Sequence, residues 1–260
     1  MFFSRVQIEY GNLAQIKLIR ILQGDMYGVH SLIWQLFPND PAAKRDFIFR
    51  QEFEKEQLAF SVTRRGIPLF YIVSRRKPEP VSDLLIVESK EYYPRLTIGM
   101  RLAFKLRANP VVQQKCDRQN SEEWHEFRKK SGMQNKETTK IRRYHDVLMD
   151  AKMQIKQKGI SDRSQIQIEM NNAALQWLSA KSQSNGFELE RLNDELNVNA
   201  FAYKQHLLGR KGKAKPIKFS SVDYSGTLIV TNVDFFQNVL YNGLGHSKAF
   251  GCGLLLIRRV

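Results

Sequence analysis

The first 110 residues alternate between short apolar runs and polar turns, a pattern that predicts several strands around one helix. Residues 2–8 alternate between apolar and polar side chains, as a half-buried strand does. Asp25 is a candidate N-cap for a helix over residues 26–37, where apolar side chains recur at helical spacing. Further strands are predicted at residues 47–53, 58–63, 67–74, 84–87 and 96–106.

The second half of the chain also mixes helices and strands. Residues 111–136 are polar and weakly patterned, which is typical of a linker or surface insertion. Apolar spacing predicts helices at 137–158 and 162–182, and a short helix that opens at Asn232 or Asp234 and runs through residue 241. Strands are predicted at residues 198–208, 217–224, 227–231 and 254–258.

Two α+β halves of this kind are compatible with two tandem ferredoxin-like (RRM-like) βαββαβ domains. We expect an N-terminal domain over residues 1–110, a linker or insertion over 111–136 and a C-terminal domain over 137–260. Open sheet faces and loops of such folds often bind RNA, although fold alone does not define function.

Composition narrows the class of partner. The 260 residues include 41 Lys and Arg against 26 Asp and Glu, so that the net charge of +15 favours a polyanionic partner. The apolar runs are too short to span a membrane. Cys116 and Cys252 lie outside any zinc-type spacing, so we expect both to be reduced thiols. The first residues lack the pattern of a secretory signal, so we expect a cytoplasmic location.

The first candidate for chemistry is a pair of side chains on the predicted helix over residues 26–37. Tyr27 and His30 are three residues apart and therefore share the shoulder of its apolar face. A histidine titrates near neutral pH and can transfer a proton, and a tyrosine can hydrogen-bond a reacting oxygen. Because such pairs more often serve ordinary packing, the pattern alone leaves both interpretations open.

A glycine-rich segment near the C-terminus is a candidate phosphate site. Gly243, Gly245, Gly251 and Gly253 allow close backbone approach, and Lys248 adds positive charge. The segment matches neither the Walker A loop nor the dinucleotide fingerprint. A tight helix-to-strand turn would use the same glycines, so both interpretations stay open.

Residues 204–218 form a basic run without an acidic residue. The flanking strands place its centre at the tip of a β-hairpin, which can enter a nucleic-acid groove or simply remain a solvated loop. Its cations include Arg210, Lys211, Lys213, Lys215 and Lys218.

The chain's histidines lack metal-ligand spacing, so we expect no metal site and no cofactor. Metal-free proton transfer, in which a ribose 2′-OH attacks the adjacent phosphodiester, is the chemistry left to an RNA-cleaving enzyme.

Three ordered segments together resemble the CasE family, the CRISPR RNA-processing endoribonuclease and Cascade subunit of type I-E systems. They are DMYGVHSLIWQLFPNDPAAKRDFIF, AFKLRANPV and GLGHSKAFGCGLLLI. The resemblance implies tandem ferredoxin-like domains that bind the hairpin of CRISPR repeat RNA and cut at the 3′ base of its stem without a metal. It also implies that the products end in a 5′-hydroxyl and a 2′,3′-cyclic phosphate or 3′-phosphate, and that the protein stays on the mature crRNA with other Cascade subunits.

By motif position, the resemblance implies that His30 is catalytic, as base or acid, and that Tyr27 is its partner. The expected RNA-binding residues are Arg107, Lys248 and the basic cluster Arg210, Lys211, Lys213, Lys215 and Lys218, with the four glycines shaping the RNA surface. Two alternatives remain: a catalytically silent subunit that binds the RNA hairpin, and a basic ribosome- or tRNA-associated protein without chemistry.

Overall fold

The computed structural model of the chain describes residues 1–8, 26–38, 44–53, 68–81, 84–116, 141–209 and 216–260. These residues form two compact units, one of Met1–Pro110 with Ala174–Val260 and one of Val111–Ala173. In chain order the elements are β1 (Phe2–Ile8), α1 (Met26–Trp34), β2 (Phe47–Phe53), β3 (Pro68–Ser74), β4 (Leu85–Glu91), β5 (Arg101–Ala108), β6 (Val111–Cys116), β7 (Ile141–Asp146), α2 (Val147–Gln157), α3 (Arg163–Gln183), β8 (Phe187–Leu189), β9 (Arg191–Leu192), β10 (Glu195–Leu196), β11 (Val198–Leu208), β12 (Ile217–Val230), α4 (Val233–Asn242) and β13 (Leu255–Arg259). No helix in the described ranges is long and apolar enough to cross a bilayer.

The first sheet of the larger unit has the antiparallel order β2-β3-β1-β4. Alternation along β1 buries Val6 and Ile8 against α1, whose buried side chains include Val29 and Ile33. Phe70 of β3 completes this core with no exposed surface. Burial of these aliphatic and aromatic groups fixes α1 on one face of the sheet, because apolar area removed from water is the main stabilising term.

The second sheet has the order β11-β12-β5-β13, with β8 added beside β12. Numbered along the chain within each sheet, the four main strands of both sheets follow the order 2-3-1-4. A βαββαβ chain gives this order when its first and third strands pair at the centre, so the predicted tandem ferredoxin-like fold is confirmed. The connection from β3 to β4 departs from that plan, because its described residues, 75–81 and 84, contain no helix.

The described part of the smaller unit contains a hairpin, the helix α2 and the first part of α3. Strand β6 pairs with β7 from Val111, opposite Asp146, to Cys116, opposite Ile141. The Asp146 carboxylate accepts hydrogen bonds from the backbone N–H groups of Leu148 and Met149, and so caps α2. The cap explains why the chain changes from strand to helix at this residue.

Several predicted elements are wrong in extent. Among the described residues of the helix expected over 137–158, only Val147–Gln157 are helical, because residues 141–146 form β7. The polar stretch from residue 111 begins with β6, a strand that carries too few apolar residues to be recognised. The strand expected at 96–106 occupies Arg101–Ala108 and pairs with β12 and β13. The strand expected at 58–63 lies outside the described residues.

The two strands expected at 217–224 and 227–231 are one long strand, β12. Ser225 and Gly226 resemble a turn in sequence, yet Gly226 is paired both with Val198 of β11 and with Phe104 of β5. A Cβ at Gly226 would collide with the carbonyl oxygen of Asn197, so this glycine permits a close backbone approach. The limits of the domains predicted at residues 110 and 137 stay a prediction.

Candidate functional site

Helix α1 presents His30 at the edge of the first sheet's core. The indole Nε1–H of Trp34, one turn later, donates a hydrogen bond to His30 Nε2 at 3.1 Å. The Phe47 ring packs against both side chains, with ring centroids 6.4 Å from His30 and 5.1 Å from Trp34. Half-buried His30 is therefore held in one orientation by two aromatic neighbours.

The same surroundings keep the His30 ring neutral. Burial lowers the pKa of His30, and the nearby Arg45 guanidinium lowers it further. An Nε2 atom that accepts from Trp34 carries no proton, so the proton of the neutral ring lies on Nδ1. A neutral imidazole near pH 7 can accept one proton and release another, which suits general acid–base chemistry.

Tyr27 lies in α1 one turn before His30, but its side chain lies outside the described part of the structure. Its partnership with His30 stays a prediction. Lys44 and Arg45 follow α1 in the chain and precede β2, and both are exposed. Of these two cations, Arg45 adds positive charge close to His30.

The glycine-rich segment forms a closed loop between α4 and β13. All four predicted glycines, Gly243, Gly245, Gly251 and Gly253, have positive φ angles of 74–94°. The N–H of Leu244 donates to the Gly253 carbonyl at 2.9 Å and closes the loop. A Cβ at Gly253 would lie 2.8 Å from the Leu244 carbonyl oxygen, so only glycine fits there. The helix-to-strand turn that the sequence allowed is thus present.

A one-turn 3-10 helix, Lys248–Phe250, brings this loop against α1 and β2. Half-buried Lys248 has a lowered pKa because of burial and because Arg45 is close by. The structure therefore gathers His30, Arg45 and Lys248, from three separate parts of the chain, into one region. Its role as a phosphate-binding site remains a prediction.

Arg107 lies in a buried ion-pair network that joins the two sheets. Its guanidinium donates to both carboxylate oxygens of Asp223, at 3.0 and 2.8 Å, and to the Gln51 carbonyl at 3.2 Å. Arg50 lies 3.5 Å from the same carboxylate and donates to Glu52 at 2.9 Å. The predicted contact of Arg107 with RNA is untested, but this network gives Arg107 a part in holding β5, β12 and β2 together.

The predicted basic hairpin has its strands in place. Strands β11 and β12 pair up to Leu208 and Ile217, and Lys218 is exposed at the start of β12. The residues between them include four of the predicted RNA-binding cations, which lie outside the described residues: Arg210, Lys211, Lys213 and Lys215.

Sequence reasoning missed an aromatic stack that connects this hairpin to the glycine loop. The rings of His206 and Phe219 stack at 4.5 Å, and Phe219 stacks on Phe250 at 5.2 Å. His206 also shares a 2.8 Å hydrogen bond with Ser221, and burial lowers its pKa to about 4. The exact register of β11 with β12 sets His206 opposite Phe219, and Phe250 joins them from the glycine loop, so the predicted hairpin alone did not indicate the stack. Among the described residues, no group of three or more His, Cys, Asp or Glu is placed to hold a metal ion.

The chain is thus a tandem ferredoxin-like protein. It carries a neutral histidine next to a glycine-rich, basic loop. A family model described as "CRISPR associated protein" matches residues 1–259. The chain therefore belongs to this family of CRISPR-associated proteins, and the expected CasE membership is confirmed.

Individual relatives are similar over nearly the whole chain. The Cascade subunit CasE of Escherichia coli K12 is 23% identical over 243 residues, which cover 94% of this chain and 96% of that protein. A structure of CRISPR endoribonuclease Cse3 bound to a 19 nt RNA has a TM-score of 0.63 at 18% identity, over 99% of this chain and 100% of that one. E. coli Cas6e has a TM-score of 0.57 at 21% identity, with both chains fully covered. At these identities the structures establish the shared fold.

Proposed function

We propose that this chain is a metal-independent endoribonuclease that binds the stem-loop of CRISPR repeat RNA and cuts at the 3′ base of the stem. The observation that carries the proposal is His30, which is neutral, fixed by Trp34 and Phe47, and close to Arg45, a cation that also lies near Lys248. The relatives support the substrate, since one is a Cascade subunit and another is a CRISPR endoribonuclease with bound RNA.

The reaction is an internal phosphoryl transfer. The 2′-hydroxyl of the nucleotide before the cut loses its proton and attacks the adjacent phosphorus. The bond to the 5′-oxygen of the next nucleotide breaks, and that oxygen gains a proton. The products are a 2′,3′-cyclic phosphate and a 5′-hydroxyl. His30 transfers one of these protons, Tyr27 assists it, and Arg45 and Lys248 stabilise the negative charge that develops on the phosphoryl oxygens.

The remaining cations hold the RNA. We place the RNA stem on the β11–β12 hairpin, where Lys218 and the basic residues of the hairpin tip contact it. The glycine loop supports the RNA-binding surface near the cut. Arg107 contributes by holding β5 and β12 under this surface. In this proposal an N-terminal domain carries His30, and a C-terminal domain carries the basic hairpin and the glycine loop. The protein stays bound to the mature crRNA as a subunit of Cascade in the cytoplasm.

Incubation of the wild-type protein with a labelled repeat hairpin in excess EDTA tests the reaction class. We expect cleavage to proceed in EDTA and to stop when the nucleotide before the cut is 2′-deoxy, because the nucleophile is then absent. A 2′-deoxy substitution elsewhere in the RNA serves as the control. A requirement for Mg²⁺ would refute the mechanism, and tight binding without any cleavage would favour the catalytically silent subunit.

A salt titration tests the basic hairpin separately. Replacing Lys211, Lys213 and Lys215 together by glutamine should flatten the dependence of log affinity on log salt by about 0.7–0.9 for every phosphate that the tip no longer binds. The matched control is a triple glutamine variant of exposed cations on the smaller unit: Lys156, Lys158 and Arg163. If both variants keep the wild-type slope, the hairpin tip does not contact phosphates.

A further inference from the structure

A basic cavity of about 470 Å³ lies in the larger unit, next to the proposed reaction site. Its described lining includes four cations: Lys44, Arg45, Arg75 and Lys248. The cavity borders the surroundings of His30, because its wall includes Phe47, whose ring packs against the histidine. A volume of this size accommodates a small ligand such as one nucleotide and excludes a duplex.

The positive charge of the cavity is not neutralised by the described residues around it. Asp46, the one acidic residue in the described lining, already accepts two hydrogen bonds from the Arg76 guanidinium, at 2.8 and 3.0 Å. Within the described ranges, none of the four lining cations forms an ion pair. The mutual repulsion of these cations is relieved when an anion enters, so the cavity favours a ligand that carries phosphate.

The 3-10 turn of the glycine loop contacts both this cavity and the hairpin strands. Lys248, at the start of the turn, lines the cavity, whereas Phe250, at its end, stacks on Phe219 of β12. The cavity also shares the Phe47 ring with His30, so it lies next to the point where the proposed cut leaves a single strand. The cavity is therefore placed for single-stranded RNA beyond the cut.

We propose that this cavity binds the phosphate backbone of the single-stranded nucleotides directly 3′ of the cut, which are the part of the RNA that leaves. This inference rests on the proposed function and adds a second RNA subsite to it. Holding the leaving strand fixes the departing 5′-oxygen relative to the attacking 2′-hydroxyl, which favours the reactive geometry. Cleavage removes the covalent link to the stem, so the flank is then released while the hairpin stays bound.

Binding of two uncleavable RNAs tests the proposal. Both contain a 2′-deoxy nucleotide before the cut; one ends at the cut and the other continues with a short single-stranded 3′ flank. We expect the wild-type protein to bind the flanked RNA more tightly and with a steeper salt dependence. In Arg75→Gln and in Lys44→Gln, we expect this advantage to shrink and the salt slope of the flanked RNA to fall by about 0.7 for every phosphate that the cavity no longer binds.

The exposure of Arg75 and Lys44 makes both substitutions compatible with folding. Arg95→Gln is the matched control, because Arg95 is also exposed and lies outside the cavity. A flank that adds no affinity in the wild type overturns the inference, as does an equal loss of affinity for both RNAs in Arg75→Gln. Failure of the proposed function has a different signature, since the wild type would then leave the all-ribose hairpin uncleaved in EDTA, whatever the two uncleavable RNAs show.

Discussion

Replacing His30 by alanine is expected to slow cleavage of the repeat hairpin by about 10²–10⁴-fold, the usual contribution of a positioned acid or base. Affinity for the uncleaved hairpin should stay close to the wild-type value, because the proposed phosphate contacts come from other residues. Single-turnover cleavage measured in EDTA, together with a binding titration on the 2′-deoxy hairpin, separates these two effects.

Two further variants show whether the loss of activity is chemical or structural. His30→Gln keeps a side-chain oxygen that can accept the Trp34 N–H, yet it cannot exchange a proton near neutral pH, so it should be as slow as His30→Ala. His246→Ala removes an exposed histidine of the glycine loop and should cleave at close to the wild-type rate. Wild-type cleavage by either His30 variant would exclude this residue from the chemistry.

Replacing Asp223 by alanine is expected to lower the free energy of unfolding by about 3–5 kcal/mol, the typical cost of breaking a buried ion pair. The side chain of Asp223 is 8% exposed and that of Arg50 is 5% exposed. Without the carboxylate, the guanidinium of Arg107 loses both of its short bonds to Asp223, and Arg50 keeps only its ion pair with Glu52 within the described network. Equilibrium unfolding in urea measures the change.

The control for Asp223→Ala is Asp234→Ala. Asp234 is exposed in the first turn of α4, where a carboxylate contributes mainly through the helix dipole, so the expected decrease is below about 1 kcal/mol. The two variants remove the same chemical group from a buried and from an exposed position. Equal urea midpoints for Asp223→Ala and the wild type would show that the network does not stabilise the fold.

Sequence patterns predicted the helices and strands whose positions depend on neighbouring residues. The cap at Asn232 starts α4, as its side chain suggested, because the Asn232 oxygen accepts from the N–H of Phe235. The alternation of β1 and the apolar spacing of α1 also hold, although α1 ends at Trp34, three residues early. Strand β5 shows the limit of this reasoning: its alternating pattern predicts a strand but carries no information about which sheet it joins.

The parts of the candidate site that belong to a sequence motif could be predicted. His30 and the glycine loop were both expected, and the structure brings Lys248 and Arg45 into the same region. The network around Asp223 was not expected, because Arg50, Arg107 and Asp223 are far apart in sequence and meet only after the sheets assemble. Charged side chains in a strand look solvent-facing until their burial is known.

The hydrogen bond from Trp34 to His30 sets the starting tautomer for any reaction at this site. In the described arrangement Nε2 is occupied, so the free protein offers a substrate the Nδ1–H donor and not an open lone pair. To use Nε2 as a base, the ring must first leave the indole. A neutral hydrogen bond contributes only about 0.5–1.5 kcal/mol, so this release slows the reaction by roughly tenfold at most. Trp34 thus holds the histidine in a defined resting state, at a cost in rate that is small beside the contribution of a positioned acid or base.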